Sequence, residues 1–113
     1  MKGIRVLILG SLLALVSATS TANCYVNMCT DVQIEQIYVE SEQNIWVQTS
    51  ATETSLSVCT PDSGIFLWLD GSALQKKEVL SLLMLAYSME KPVSIRVGNG
   101  ARGCSIAYVL LDR

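Results

Sequence analysis

The four cysteines, Cys24, Cys29, Cys59 and Cys104, constrain this 113-residue chain more than any other feature. What they can become depends on the compartment, and the first 22 residues bear on that. Met1-Lys2-Gly3-Ile4-Arg5 is a short basic start, Val6 to Val16 is an apolar run, and Ser17 to Ala22 is small and mostly polar. This is the three-part layout of a secretory signal peptide. The run is well short of the roughly 20 residues that span a bilayer, which argues against a membrane anchor. Cleavage after Ala22 leaves Ser20 and Ala22 at the two small-residue positions, with cleavage after Ala18 as the alternative. Asn23 argues against a lipidated Cys24, because the residue before such a cysteine is normally small. The sequence therefore predicts a signal peptide over residues 1–22, one domain over 23–113, and a secreted or periplasmic location.

A mature chain of about 91 residues buries only a marginal core, and secreted chains of that size commonly add disulfides. An even count of cysteines in an oxidising compartment reads as two bridges, with three connectivities open. A four-thiolate metal site needs close pairs such as C-x-x-C. The spacings here, with 4, 29 and 44 intervening residues, do not supply two of them. The chain has no histidine, which removes Ser-His-Asp and Cys-His catalysis and most zinc sites. Neither a metal nor a cofactor is expected. Loss of Lys2 and Arg5 with the leader takes the net charge from -2 to -4. An acidic domain has no electrostatic route to phosphate backbones or anionic lipid, so neither nucleic acid nor membrane insertion is expected. No N-x-S/T sequon occurs, which is compatible with a bacterial source.

Residues 32–39, VQIEQIYV, alternate apolar and polar and then slip phase at Gln36, as a β-bulge would allow. After a polar turn, Ile45 to Thr49 completes a hairpin. Leu56 to Cys59 reads as a third strand, Thr60 to Gly64 as a Pro/Gly turn, and Ile65 to Leu69 as a strand covered on both faces. Ser72 and Gln75 fit a capping box. Leu74 to Glu90 contains no Gly or Pro and is rich in helix formers, and Lys91-Pro92 ends it. Val93 to Val97 and Cys104 to Leu110 are the last strands, joined through the turn at Gly98-Asn99-Gly100. The order β-β-β(-β)-α-β-β is that of an OB-fold, a five-stranded barrel with a helix between strands three and four. The fold class expected is therefore mainly β with one helix (α+β), in an OB-like barrel. In an OB-fold strands three and five are neighbours, which favours a Cys59–Cys104 bridge and leaves Cys24 with Cys29.

Candidate chemistry is sparse. Glu35, Glu40, Glu42 and Glu53 read as solvated charges on hairpin surfaces or loops, so the chain is not read as an enzyme. Trp46, flanked by core-facing Ile45 and Val47, should point outward, where it can stack on a sugar ring or sit in a protomer interface. Tyr38, on the partner strand of the hairpin, is the second expected glycan contact, and Trp68 is read as core. From Val79 to Met89 the helix has only Ser81 and Ser88 as polar residues. Val79, Leu82, Leu83 and Ala86 make one stripe. Leu80, Met84 and Tyr87 make another, read as a subunit interface between copies of the chain, with a wide core stripe as the rival reading.

The stretch from Ile65 to Val97, with LLMLAYSMEKPVSIRV from Leu82 to Val97, resembles the binding subunits of pentameric-B bacterial toxins, in particular the subtilase-cytotoxin and pertussis-like B subunits. It also resembles small secreted bacterial domains with a Cys on strand three and a Gly-Cys pair after strand four, here Cys59 and Gly103-Cys104. The likeness covers about a third of the chain at residue level. It implies an OB-fold, a ring of five subunits with helices toward a central pore, a secreted A subunit as partner, and glycan recognition on the outer surface. The helix here is less polar than the pore helices of that family, its cysteine framework differs, and none of the family's sugar contacts maps onto a residue of this chain. A secreted, oligomeric glycan-binding subunit is the first expectation. A small secreted structural or inhibitor-like domain that binds a protein partner is the second.

Overall fold

A computed structural model describes residues 21–41 and 43–112. Residues 1–20 of the expected signal peptide lie outside the described residues. The strands are β1 (Asn23–Tyr25), β2 (Met28–Val32), β3 (Ile34–Val39), β4 (Ile45–Thr49), β5 (Leu67–Leu69), β6 (Val93–Gly100) and β7 (Gly103–Leu110). The helix α1 (Lys76–Met89) separates β5 from β6. The class is mainly β with one helix, as expected. All seven strands form one mixed sheet in the order β1-β2-β6-β7-β5-β4-β3, with β5 and β7 parallel and the other neighbours antiparallel. No ladder joins β3 to β1, so the sheet is open where a closed five-stranded barrel was expected.

The expected first strand is two strands with Gln33 between them. Ser50 occupies both backbone groups of Gln33: its Oγ accepts from the Gln33 N–H at 3.0 Å and its own N–H donates to the Gln33 carbonyl at 3.0 Å. The chain therefore changes partner there, pairing with β6 before the break and with β4 after it. The bulge inferred from the slipped alternation is present, since Ile34 pairs with Thr49 but Gln36 already pairs with Gln48. Leu56 to Cys59 does not form the expected strand. It is squeezed between a 3₁₀ turn at Glu53–Ser55 and Pro61, and only Leu56 bridges, in parallel, to Val26.

The β1–β2 hairpin carries no local mark in the sequence, because its two-residue turn, Val26-Asn27, lacks the Asn-Gly type of signature. Val26 takes a left-handed φ of 57°, rare for a β-branched residue. Its carbonyl accepts from the N–H groups of Ser57 and Val58, and Asn27 accepts from Val97. Cys24 and Cys29 face each other across this hairpin and are bridged. The second bridge joins Cys59 to Cys104. The expected pairing is thus present, but Cys59 reaches β7 from an irregular segment, and β5 is the strand beside β7.

The core lies under one face of the sheet. Val32, Val47, Leu67, Leu69 and Ile95 are fully buried there with Cys24, Cys29 and Cys104. From the helix, Leu83 and Ala86 are fully buried, and Val79, Leu80 and Leu82 pack against the cluster from its margin. Each large side chain of this kind contributes about 1.5–3 kcal/mol on burial. The capping box does not form. Asp70 takes both the N–H and the hydroxyl of Ser72, at 2.9 and 2.8 Å. Those two bonds, the backbone one first, hold the Asp70 carboxyl below its ordinary value. The helix therefore starts at Lys76, behind Gln75, which makes no side-chain cap. At its other end Glu90 adopts a left-handed φ of 53°, and the Lys91 N–H returns to the Ala86 carbonyl at 2.9 Å, a Schellman closure ahead of Pro92.

Candidate functional site

Tyr38, Trp46 and Trp68 occupy directly paired positions on β3, β4 and β5. Alternation along β4 puts Ile45 and Val47 in the core cluster and leaves Trp46 on the opposite face, as the sequence implied. Trp46 is nevertheless only 7% exposed, so the expected outward platform is absent. Trp68 covers it, with ring centroids 6.4 Å apart and planes 30° apart, and the Trp46 indole N–H donates to Glu40 at 3.1 Å. Trp68 belongs to this outer layer and not to the core cluster. Its N–H donates to the buried Asn44 side chain at 3.0 Å. Gly100 is required beneath it, because a Cβ there would lie 3.0 Å from the Trp68 ring and 2.7 Å from Ser105 Cβ. Tyr38 is half exposed and leans on Phe66 at 6.4 Å. Of the two aromatic residues expected to meet a glycan, only Tyr38 is accessible.

The helix stripe also divides. Leu80 is half-buried against the core, whereas Met84 is 54% and Tyr87 51% exposed. Leu85 and Met89, which belong to neither expected stripe, are exposed as well. Ser81, also exposed, sits among them with its hydroxyl donating to the Lys77 carbonyl at 2.8 Å. The outer face of α1 therefore shows large apolar side chains at successive turns.

At the C-terminal end of that helix lies a groove of about 630 Å³, lined by Gln33, Ile34, Glu35, Tyr87, Ser88 and Glu90. Two features of the fold create it. The break at Gln33 ends one strand and starts another, and the Schellman closure turns the chain away at Glu90. Pro92 marks the helix end in the sequence, but no motif marks the break at Gln33, so the groove is not visible there. Among the described residues no group of three or more His, Cys, Asp or Glu side chains is placed to hold a metal ion. No helix of the described residues is long and apolar enough to cross a membrane. The carboxylates expected to be solvated differ in fate: Glu40 holds the Trp46 indole, and Glu53 is buried, accepting from the N–H and hydroxyl of Thr49. No protein-family model, curated protein or solved structure matches this chain.

Proposed function

We propose that the protein is an exported, non-catalytic binding subunit that works as a homo-oligomer and recognises glycans in the manner of a toxin B subunit. The exposed apolar face of α1 carries this reading. Met84, Leu85, Tyr87 and Met89 are each about half exposed, and contiguous apolar surface on a soluble domain marks an association site. The two disulfides are consistent with an oxidising compartment. The OB-like reading of the fold is supported by the connectivity. With only Gln33 between them, β2 and β3 form one bent segment that pairs with β6 through its first half and β4 through its second. The parallel β5–β7 pair and the helix between β5 and β6 complete that pattern. A ring of five and a separate enzymatic A subunit are the partners that the resemblance implies.

Sedimentation of the oxidised mature protein tests the association. The expected result is a species larger than one chain, with Met84→Glu shifting it toward monomer while the far-ultraviolet spectrum keeps its shape. A wild-type monomer at tens of micromolar, a range in which interfaces worth about 8 kcal/mol already form, contradicts the reading. A Met84→Glu protein that unfolds without dissociating contradicts it too.

A further inference from the structure

We infer that the groove between the β2–β3 break and the end of α1 is the glycan site and that it takes a neutral sugar, an inference that rests on the glycan-binding reading above. The groove's volume of about 630 Å³ falls within the range of small-molecule sites and suits one or two sugar rings. Its polar lining is rich in acceptors: the Glu35 and Glu90 carboxylates, the Gln33 amide oxygen and the Ser88 hydroxyl. None of these side-chain groups, nor the Tyr87 hydroxyl, makes a hydrogen bond to another described residue. The Gln33 backbone is already taken by Ser50, so its side-chain amide is the part left to face a ligand. Ile34, 6% exposed, is the apolar residue of the lining, and Tyr87 only borders the groove from the face of α1 assigned above to association.

Charge then selects among sugars. Two carboxylates and no basic side chain line the groove, and like charges repel an anionic ligand. Hydroxyl groups donate to carboxylates, whereas a sialic acid would place a third carboxylate among them. The alternative contact, Tyr38, offers one tilted ring beside Phe66 and no concave wall.

The test uses the oxidised mature protein on an array of paired neutral and sialylated glycans, followed by nuclear magnetic resonance titration with the strongest neutral binder. Binding of neutral glycans over their sialylated counterparts is expected, with amide shifts at residues 33–35 and 87–90. Gln33→Ala and Ser88→Ala should each weaken binding by about tenfold, and Tyr38→Ala should leave it unchanged. None of these three variants removes a core side chain, and sedimentation of each shows whether association is intact. Equal binding of sialylated forms overturns the charge argument. Loss of binding in Tyr38→Ala with retention in the groove variants overturns the site alone. No glycan bound at all overturns both the site and the glycan-binding reading, while leaving the association through α1 to stand on its own measurement.

Discussion

Glu53 shows how a single residue can be misjudged from sequence and still be decisive. In a Ser/Thr-rich loop it reads as a solvated charge, yet it is 3% exposed. Its Oε2 accepts from the Thr49 N–H at 2.7 Å and from the Thr49 hydroxyl at 2.8 Å, and that hydroxyl in turn accepts from the Ala51 N–H at 3.2 Å. The side chain thus finishes the hydrogen bonding of β4 where its ladder ends. Glu53→Ala leaves the buried Thr49 N–H without an acceptor, a loss of about 1–3 kcal/mol. Glu53→Gln keeps one carbonyl oxygen in place and should cost less. Urea denaturation of the two variants measures the difference, and a Glu53→Ala protein within experimental error of wild type would show that water replaces the carboxylate. No sequence signal marked this residue, because its burial depends on the 3₁₀ turn at Glu53–Ser55 folding back under β1, a contact between segments far apart in the chain.

The elements divide by whether their causes are local. Alternation marks β6 and the bulge in β3, because a half-buried strand writes its period of two into the sequence, whereas β4 is buried along nearly its whole length and is read from its place after the polar turn. The length of α1 was nearly right for the same reason, since composition and Pro92 are local. Its start was misplaced because Asp70 competed for the Ser72 hydroxyl. The segment Leu56–Cys59 alternates as a strand does but has no free partner along its length, and pairing is a tertiary property. The C-terminus of α1 offers a test at this scale. Glu90 occupies the left-handed position that closes the helix, where a non-glycine residue pays about 1–2 kcal/mol in Cβ crowding. Glu90→Gly should therefore raise the thermal midpoint, by up to about 1 kcal/mol of stability once glycine's greater entropy in the unfolded chain is counted. The same change removes a groove carboxylate, so greater stability should accompany weaker binding of a neutral glycan. A variant that is both less stable and equally competent would show that the strain at Glu90 is not what closes the helix and that its carboxylate makes no contact.

For the molecule as a whole, the balance between core and covalent cross-links is set by its size. A domain of this length has a total stability on the order of 5–15 kcal/mol. The fully buried cluster is small, and its largest members are leucines, isoleucine and valines, so the bridges matter to the total. Cys59–Cys104 spans 45 residues, including all of β5, α1 and β6. On the chain-entropy estimate it contributes about 4 kcal/mol. Cys24–Cys29 spans 5 residues and contributes about 2 kcal/mol on the same basis. The larger bridge also fixes an irregular segment to a central strand, which no hydrogen-bond ladder does there. Replacing Cys59 and Cys104 together by alanine should bring the domain close to its unfolding threshold at room temperature. Replacing Cys24 and Cys29 should leave a folded protein with a frayed β1. Guanidinium denaturation of both pairs, with hydrogen exchange on the second, distinguishes the two effects. Equal losses from the two replacements would mean that loop length is not what the bridges act through. The weight would then shift to local packing, in which Cys24, Cys29 and Cys104 are among the most completely buried side chains of the core.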